Sequence, residues 1–526
     1  MPHRSRLKAV AAGVLVLAII TACSGGSTLG GTTSTHGANT LHVAFFGDIS
    51  TPNPDTAYDG PELNLVDSAY EGLLDYAPGQ QKPQLVGKLA TSWKANPDNT
   101  QFTFTLRDGV TFHDGTPFDS SAVKASFDRR HAVGQGPAYM VDDVKSVETP
   151  SPTQVVVTLT EPNSAFLDLL ASPFGPKMIS PAALAAHPVT PEGADWFDTH
   201  DAGTGPYGYG TFVQGVSYEL QANDHYWAAK PAYTTVKFAV LSSMSTIQLQ
   251  LEQGSIDALI GYTDNVSFAD YQANKKLATY AFPSMQTTML MVNPASPALS
   301  DAAVRHRFLS GIDFPTLTRS ALGGTAEVTD EVFAKGLVPS NLNQQVIPHD
   351  ADALANLASG PLAGKTVRLA YAQNSGAAKA LSDNLTAILN TAGIKATSTS
   401  LDVGTYYDEL KKGADAPDIT FYAGFPDTAH PGAWGSVFYA PTGGLNLFGA
   451  NVTGLADVLA AARRTDDLAL YGQAARMVSE SGYWYSVATS KATVVAQPGV
   501  AGIDGAWHPV ITGVLALNLL HPAGDK

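Results

Sequence analysis

Aromatic side chains crowd two segments near the end of the chain and offer chemistry for holding an organic molecule. The first segment contains Phe421, Tyr422, Phe425, Trp434, Phe438 and Tyr439, and the second is Tyr483-Trp484-Tyr485. Aromatic faces stack on a ligand, while the polar edges of Tyr and Trp form hydrogen bonds with it. The same residues also suit a protein core, so the pattern leaves open that half or more of them only pack there.

Signatures of catalysis and metal binding are missing from the sequence. The chain has no H-E-x-x-H, no G-x-S-x-G and no Walker loop. His113, His225 and His430 lack a second His three or four residues later, which argues against a zinc centre. The acidic pairs Asp142-Asp143 and Asp466-Asp467 lie in polar contexts that favour a solvated surface over acid-base catalysis. We therefore predict no catalytic residue, no metal ligand and no cofactor.

Gly203, Gly205 and Gly208 satisfy the pattern G-x-G-x-x-G. A dinucleotide site needs a helix directly after such a loop. Here Pro206 intervenes and Thr211–Val213 has the composition of a strand, so a structural turn is the better interpretation.

The N-terminus carries the pattern of a bacterial lipoprotein leader. Arg4, Arg6 and Lys8 precede an apolar run, 10–20, which is too short to span a bilayer as a stable helix. The run ends in Ile20-Thr21-Ala22-Cys23, which predicts a signal peptide over residues 1–22 and lipidation of Cys23. A cleaved signal with an incidental Cys and a stop-transfer helix are the alternatives.

The composition limits which cellular compartment and which classes of binding partner suit the protein. Cys23 is the only cysteine, so the mature chain can form no disulfide and no thiolate site. Residues 23–40, rich in Ser, Gly and Thr, predict a flexible tether. The net charge is −16, and removing three basic leader residues brings it to about −19, which disfavours nucleic acid as a partner. Simple solubility explains this acidity better than a cationic ligand does.

Strands and helices alternate along the chain. Leu41–Phe46, Gln101–Leu106 and Asp418–Tyr422 read as strands, and Val514–Leu519 is β-like. A helix is predicted from a cap at Asp119 or Ser120 to about Arg130, and others over Leu63–Tyr76, Ala377–Ala392 and most of Leu455–Glu480. The mixture predicts an α/β or α+β protein, and about 500 mature residues predict two or three packed lobes.

Several motifs, in order and spacing, resemble those of the bacterial extracellular solute-binding proteins of family 5, which serve ABC importers of peptides and nickel. The matching segments are Leu89–Lys94 with Asn96–Thr100, Phe102–Phe118, Ser121–Arg129, Gly203–Tyr207, Asn223–Trp227, Leu251–Asp257 and Val304–Phe308 with Gly311–Asp313. Each motif alone is weakly specific, whereas the combination is highly specific. Trp93 and Trp227 belong to structural motifs of the family.

The resemblance implies a two-lobed periplasmic-binding-protein fold of type II with an extra subdomain inserted in the first lobe. The implied divisions are 41–65, 196–288 and 490–526 for the first lobe, 66–195 for the inserted subdomain and 289–489 for the second lobe. Hinge strands would cross between the lobes near residues 285–292 and 486–493.

The resemblance also places a ligand between the lobes. The implied cleft residues are Phe45, Phe46 and Gly47 after the first strand; Tyr422, Gly424, Phe425, Asp427 and Trp434 in the second lobe; Asn446; and Tyr483, Trp484 and Tyr485 near a hinge. In peptide-binding relatives an Asp that anchors the α-amine of the peptide stands where this chain has Gly424. Asp427 remains, three residues further on.

The function implied is a monomeric, lipid-anchored protein on the outer face of the cytoplasmic membrane. It would capture a small solute, such as a short peptide or peptide-like compound, by lobe closure and deliver it to the subunits of an ABC permease. Gly424 gives weight to a sugar, a siderophore or an N-blocked compound instead. A secreted hydrolase and a surface sensor or chaperone on the same scaffold are further alternatives.

Overall fold

The computed structural model describes residues 39–189, 195–260 and 265–524. The predicted signal peptide, Cys23 and nearly all of the predicted tether lie outside these residues and stay predictions. Among the helices described, none is long and apolar enough to cross a membrane.

The strands, in chain order, are β1 Thr40–Phe46, β2 Leu74–Tyr76, β3 Leu85–Gly87, β4 Ala90–Ala95, β5 Gln101–Leu106, β6 Val144–Ser151, β7 Gln154–Leu159, β8 Tyr207–Val213, β9 Ser217–Ala222, β10 Thr235–Leu241, β11 Ala258–Ile260, β12 Ala278–Phe282, β13 Thr287–Val292, β14 Ala326–Val328, β15 Thr366–Ala372, β16 Lys395–Leu401, β17 Ile419–Gly424, β18 Trp484–Ser490, β19 Ala492–Ala496, β20 Val500–Ala501 and β21 His521–Pro522.

The α-helices are α1 Leu63–Ala69, α2 Ser120–Val133, α3 Phe166–Ala171, α4 Pro181–Ala186, α5 Met244–Gln253, α6 Asn265–Ala273, α7 Ala302–Ser310, α8 Phe314–Leu322, α9 Ala353–Ala358, α10 Gly376–Thr391, α11 Val403–Leu410, α12 Pro431–Trp434, α13 Leu455–Thr465, α14 Leu468–Ser481 and α15 Ile503–Ala506. Short 3₁₀ segments include Gly136–Val141 and Leu517–Leu519, and a π-helical turn spans Gly435–Tyr439.

The first large sheet has the strand order β12-β19-β11-β1-β10-β9-β8. β1 runs parallel to β10 and β11, and the remaining neighbours are antiparallel. Leu41, Val43 and Phe45 alternate along β1 and are buried in one core, while Ala44 is buried in another. Burial on both faces explains why the predicted strand 41–46 is nearly all apolar.

The second large sheet has the order β14-β18-β13-β17-β15-β16. β13 lies inside it, and its successive side chains enter two different cores: Met289 and Met291 face one, Leu290 and Val292 the other. The long helix α10 packs on the second of these cores through Leu381, and its bounds agree with the prediction over 377–392. This sheet and its helices correspond to the predicted second lobe.

Two short connections join the sheets side by side. Phe282 pairs with Ala492 in the first sheet, and Thr287 pairs with Thr489 in the second. Between these pairs the backbone N–H of Ser490 donates to the carbonyl of Gln286 at 2.9 Å. The chain therefore crosses over residues 283–286, which overlap the predicted crossing 285–292 only at its start, and returns over 490–491, inside the predicted 486–493. The predicted lobe boundaries stay predictions.

A third sheet, in the order β4-β5-β7-β6, lies within the predicted insertion. As predicted, one face of β5 is buried, through Phe102, Phe104 and Leu106. Asp119 caps α2 by accepting the backbone N–H of Ser121. The helix ends at Val133, three residues beyond the predicted end, and a left-handed Gly134 follows it.

Two predicted elements are corrected. The helix predicted over 63–76 ends at Ala69, and its last residues form the short strand β2. Val514–Leu519 is not a strand: only Leu515 pairs, in an isolated antiparallel bridge with Trp507, its N–H is bound by the side chain of Asn64, and Leu517–Leu519 is a 3₁₀ turn. The prediction that 455–480 is largely helical is confirmed, and the helical region is divided into two helices at a left-handed Asp466.

Candidate functional site

One side of the site lies at the end of the second sheet that is nearest the crossings. β17 ends there at Gly424, which pairs with Thr287, the first residue of β13 after the crossing. The loop 425–430 leaves β17 at this end and packs against the first lobe and the inserted subdomain. The register of the strands thus brings this loop to the junction of all three parts.

Asp427 connects the three parts through its carboxylate. Its Oδ2 accepts the hydroxyl of Tyr58, in the loop after β1, at 2.6 Å and that of Tyr139, in the 3₁₀ segment Gly136–Val141, at 2.5 Å. Its main-chain carbonyl accepts the hydroxyl of Ser172 at 2.6 Å. Asp427 is only 6% exposed. Burial raises the pKa of this carboxyl above its usual range, and the two tyrosine hydrogen bonds oppose that rise.

Aromatic rings surround this carboxylate. Phe425 and Phe174 stack with their centroids 6.3 Å apart, and Tyr58 meets Phe174 edge-on at 5.0 Å. Tyr139 meets Tyr58 edge-on at 6.3 Å. The result is an apolar, aromatic junction around one acidic group, which is the composition of a site for a small organic molecule.

Gly424 is held closely by two aromatic neighbours. A Cβ added there would lie 2.7 Å from Cζ of Phe438 and 3.0 Å from Cε1 of Tyr422. The space that a larger side chain would need is therefore taken by the ring of Phe438.

Arg130 positions the first-lobe side of the site. Its side chain is fully buried, and it donates to the carboxylate of Asp55 at 2.9 Å and to the carbonyl of Pro54 at 2.5 Å. It also donates to the carbonyls of Phe174 at 3.0 Å and Gly175 at 3.2 Å, with a longer contact to Pro137 at 3.5 Å. One guanidinium thus links the three segments that carry Tyr58, Tyr139 and Phe174.

Glu62 is a buried acid in the loop that presents Tyr58. Its Oε1 accepts the hydroxyl of Ser50 at 2.9 Å and the N–H of Asp59 at 2.8 Å, while its buried Oε2 has no hydrogen-bond partner among the described residues. Burial, with the charge of Asp59 nearby, raises the pKa of Glu62 to about 7. The folded protein therefore favours the protonated carboxyl.

Glu62→Gln is expected to stabilise the protein at alkaline pH. The pKa of Glu62 is higher in the folded protein than in the unfolded chain. The stabilising contribution of this one carboxyl is therefore fully present at pH 4 and is lost as the pH rises through about 7. Gln stays neutral, so the variant should gain up to about 3 kcal/mol in the free energy of unfolding at pH 8 and nothing at pH 4. Urea denaturation at both pH values measures this. The exposed Glu148→Gln is the control, and equal gains at both pH values would contradict the prediction.

Comparison with known proteins agrees with this geometry. A family model described as bacterial extracellular solute-binding proteins, family 5 Middle, matches residues 84–446, more than half of the chain. The chain belongs to this family.

Relatives of this family 5 protein share its sequence at modest identity. A probable D,D-dipeptide-binding periplasmic protein of Escherichia coli (strain K12) is 29% identical over 305 residues, which is 58% of each chain. A glutathione-binding protein of Shigella dysenteriae is 26% identical over 515 residues, 93% of this chain and 94% of that one. The chain thus spans less than two thirds of the first relative and nearly all of the second. Both relatives are named as binding proteins.

Solved structures show the fold. The crystal structure of NikA from Brucella suis in complex with Fe(III)-EDTA has a TM-score of 0.80 at 22% identity and covers 92% of this chain and 99% of that one. The predicted family and the predicted two-lobed α/β fold class are confirmed.

The predicted site residues of the family 5 chain divide into two groups. Gly424, Phe425 and Asp427 lie together at the junction described above. Tyr422 lies two residues earlier on β17, with its ring 6.4 Å from that of Phe438. These four come from one segment, and their contribution to ligand binding stays a prediction.

The other predicted residues lie elsewhere. Phe45 is buried and stacks on Phe238 at 4.5 Å, so the structure places it in the core of the first lobe. Phe46 is 40% exposed at the end of β1, and Gly47 follows in a left-handed conformation. Alternation along the strand sends Phe45 and Phe46 to opposite sides.

Trp434 and Asn446 take structural positions in the second lobe. Trp434 is fully buried, 4.2 Å from the ring of Phe438. The amide of Asn446 binds the backbone of its own loop at Ala440 and Ala450. Trp434 therefore backs the ring that fills the space beside Gly424, while Asn446 holds a loop together.

The expectation that Tyr483–Tyr485 lie near a hinge is corrected. β18 starts at Trp484 and reaches the crossing only after Ser490. Trp484 pairs with Met291 at the end of the sheet that is farthest from the crossing. The ring of Tyr483 lies under Arg305 at 4.1 Å, and Tyr485 stacks on Phe314 at 4.0 Å. These aromatic residues pack within the second lobe, away from Asp427.

Sequence reasoning missed Tyr58, Tyr139, Phe174 and Arg130. No short motif marks these residues, because they come from separate segments that meet only in the folded chain. Only Arg130 could have been suspected from the sequence. It occupies a core position of α2, next to Arg129, and a charged residue in a core needs a buried acid as its partner.

Within the described residues, no group of three or more His, Cys, Asp or Glu side chains could hold a metal ion. His430, considered above as a ligand, lies 3.2 Å from Asp466 through Nε2 and accepts the N–H of Gly432 at Nδ1. The expectation of no metal stays a prediction.

Proposed function

We propose that this protein is the lipid-anchored, extracytoplasmic binding protein of an ABC importer and that it captures a small solute between its lobes by closure. The observation that carries this proposal is Asp427, whose carboxylate reaches from the second lobe to hydroxyls on Tyr58 and Tyr139. Contacts of this kind favour the closed form, and a solute that adds further contacts shifts the equilibrium towards it. The permease would then recognise the closed form.

The junction favours a solute with an apolar or aromatic part and a hydrogen-bond donor. Phe425 and Phe174 offer ring faces, and Asp427 offers its second oxygen, Oδ1. Among the described residues, no lysine or arginine forms an ion pair with Asp427, so its charge has no cationic partner in the protein. An ammonium or another strong donor on the solute would supply one. A short peptide or peptide-like compound has these features.

A solute other than a free-amine peptide is the second candidate, and Phe438 favours it. The resemblance places the amine-binding Asp of peptide binders at Gly424, where the ring of Phe438 now fills the space. An N-blocked peptide, a siderophore or a sugar-like compound needs no carboxylate there.

Native mass spectrometry of the protein purified from its own host tests the proposal. We expect a retained small molecule that carries an apolar group and a donor group. Recovery of a strongly anionic solute without a donor group would contradict the role given to Asp427, and turnover of the solute by the pure protein would contradict the role as a binding protein.

A second experiment tests the position of the amine site. Gly424→Asp combined with Phe438→Leu restores a carboxylate and removes the ring that a Cβ at this position would approach most closely, leaving the 3.0 Å contact with Tyr422. We expect this variant to bind the dipeptide Ala-Phe at least about tenfold more tightly than its N-acetyl form, since a charged hydrogen bond contributes roughly 1.5–3 kcal/mol. Titration calorimetry measures both affinities. Gly424→Asn with Phe438→Leu is the matched uncharged control, and an equal preference in both variants would contradict the assignment.

A further inference from the structure

A cavity in the first lobe adjoins the site around Asp427 without including it: Tyr76, one of its lining residues, accepts the N–H of Ala429 at 2.9 Å. Its walls come from the region of α1 and β2, from Lys88, Lys177 and Pro206, and from the C-terminal segment 506–519. No residue between 287 and 490, the span of the second sheet, lines it. About 170 Å³ of it is open to water-sized molecules, which is room for about ten waters or one small solute.

The polar wall of this cavity carries both signs of charge. Lys177 pairs with Asp67 at 2.6 Å, and Lys88 lies 3.4 Å from Asp75 and 3.7 Å from Glu71. Glu71 is already saturated, because Thr204, Tyr226 and Trp227 all donate to it.

The pair Lys88–Asp75 is more exposed than the pair Lys177–Asp67 beside it, whose side chains are 8% and 23% exposed. The side chain of Asp75 is 35% exposed and that of Lys88 is 27% exposed. Both groups therefore keep hydrogen-bonding capacity towards an occupant of the cavity.

His508 is part of the lining as a neutral ring. Its Nδ1 accepts the N–H groups of Val510 at 3.2 Å and Ile511 at 2.9 Å, so the hydrogen of the neutral ring is on Nε2. Burial lowers the pKa of His508 to about 4, which keeps the ring neutral. Because Nε2 is buried from water-sized molecules, His508 adds no charge to the cavity, and Lys88 and Asp75 are the polar groups that an occupant meets.

Part of the lining is apolar. Val514, Leu515 and Leu517 are buried residues of the C-terminal segment that line the cavity. A molecule seated here would meet both an ion pair and aliphatic side chains.

We propose that this cavity binds a compact zwitterion with an aliphatic side group, of the α-amino acid class. The ammonium of the occupant binds Asp75, its carboxylate binds Lys88, and its aliphatic group packs against Val514 and Leu517. A simple anion in the cavity would be repelled by Asp75 and Glu71, and a simple cation would be repelled by Lys88 and Lys177. Neither therefore suits the cavity as well as a zwitterion does.

Calorimetric titration of the full-length protein in mild detergent tests this with three matched probes. They are L-leucine, 4-methylpentanoate, which lacks the ammonium, and isopentylamine, which lacks the carboxylate. We expect one equivalent of L-leucine to bind, and each of the other probes to bind at least about tenfold more weakly. Absence of leucine binding, or equal affinity for all three probes, would overturn the proposal.

Variants assign the binding to the cavity. Asp75→Asn keeps the oxygen that accepts the N–H of Tyr76 but loses the charge, and we expect it to weaken leucine binding at least about tenfold. Lys88→Gln is the second variant, should the first fail to fold, and we expect the same loss of leucine binding. Asp224→Asn, in an exposed ion pair with Lys230, is the matched control and should bind as the wild type does. Asp427→Asn should also leave leucine binding unchanged, and loss of binding in this variant alone would place the leucine in the site between the lobes.

Discussion

Arg130→Met is expected to lower the free energy of unfolding by about 3 to 5 kcal/mol, as removal of one partner from a buried ion pair usually does. Methionine fills similar space but offers no donor. Asp55 keeps its ion pair with Arg129 at 2.8 Å, whereas the carbonyls of Pro54, Phe174 and Gly175 lose their partner inside the protein. Guanidinium denaturation followed by far-ultraviolet circular dichroism measures the change.

The matched control for Arg130 lies on the same helix. Lys124 is half exposed and pairs with Asp128 at 2.7 Å, so Lys124→Met should cost less than about 0.5 kcal/mol. Similar losses in the two variants would mean that the buried network contributes no more than a surface pair. Arg130→Met should also weaken solute binding, because the segments carrying Tyr58, Tyr139 and Phe174 lose their common link.

Asp427→Asn is expected to weaken binding of the retained solute by about 10- to 100-fold, the range for a hydrogen bond to a charged group. The substitution keeps the shape of the side chain and removes its charge. The affinity of the solute identified by native mass spectrometry, measured by calorimetry on the unloaded protein, gives the result.

The variant Tyr139→Phe distinguishes the contribution of the Asp427 charge to binding from that of its hydrogen bonds. This variant keeps the carboxylate and loses one hydroxyl, so we expect a loss of about tenfold or less. If Asp427→Asn bound the solute as tightly as the wild type, the carboxylate would have no part in recognition, and the aromatic rings alone would account for it.

The fold could be predicted well wherever local pattern and burial agree. The alternation of Phe102, Phe104 and Leu106 and the cap at Asp119 are local signals, and the structure bears them out. The prediction that the helix continues beyond Ala69 is wrong because Glu71 accepts hydrogen bonds from Thr204, Tyr226 and Trp227, all more than 130 residues away. Tertiary contacts of this range override local propensity and leave no local mark.

The candidate site could be predicted only on the second-lobe side. Gly424, Phe425 and Asp427 follow one strand, so family position located them together. Their partners Tyr58, Tyr139 and Phe174 come from segments that meet through the buried Arg130, and no spacing in the sequence predicts that meeting. Clusters of aromatic residues were a poor guide, since Trp434 and Tyr483–Tyr485 pack within the second lobe.

The position of β19 in the first sheet has a consequence for how the chain acquires its structure. β19 lies between β12 and β11 and pairs with both, although more than 200 residues separate it from either along the chain. A growing or threading chain therefore cannot complete its first lobe until almost its last residues have arrived, and contacts of such long range slow folding. A polypeptide that stays incompletely folded until its C-terminal segment arrives is suited to passage through a narrow export channel as an extended strand.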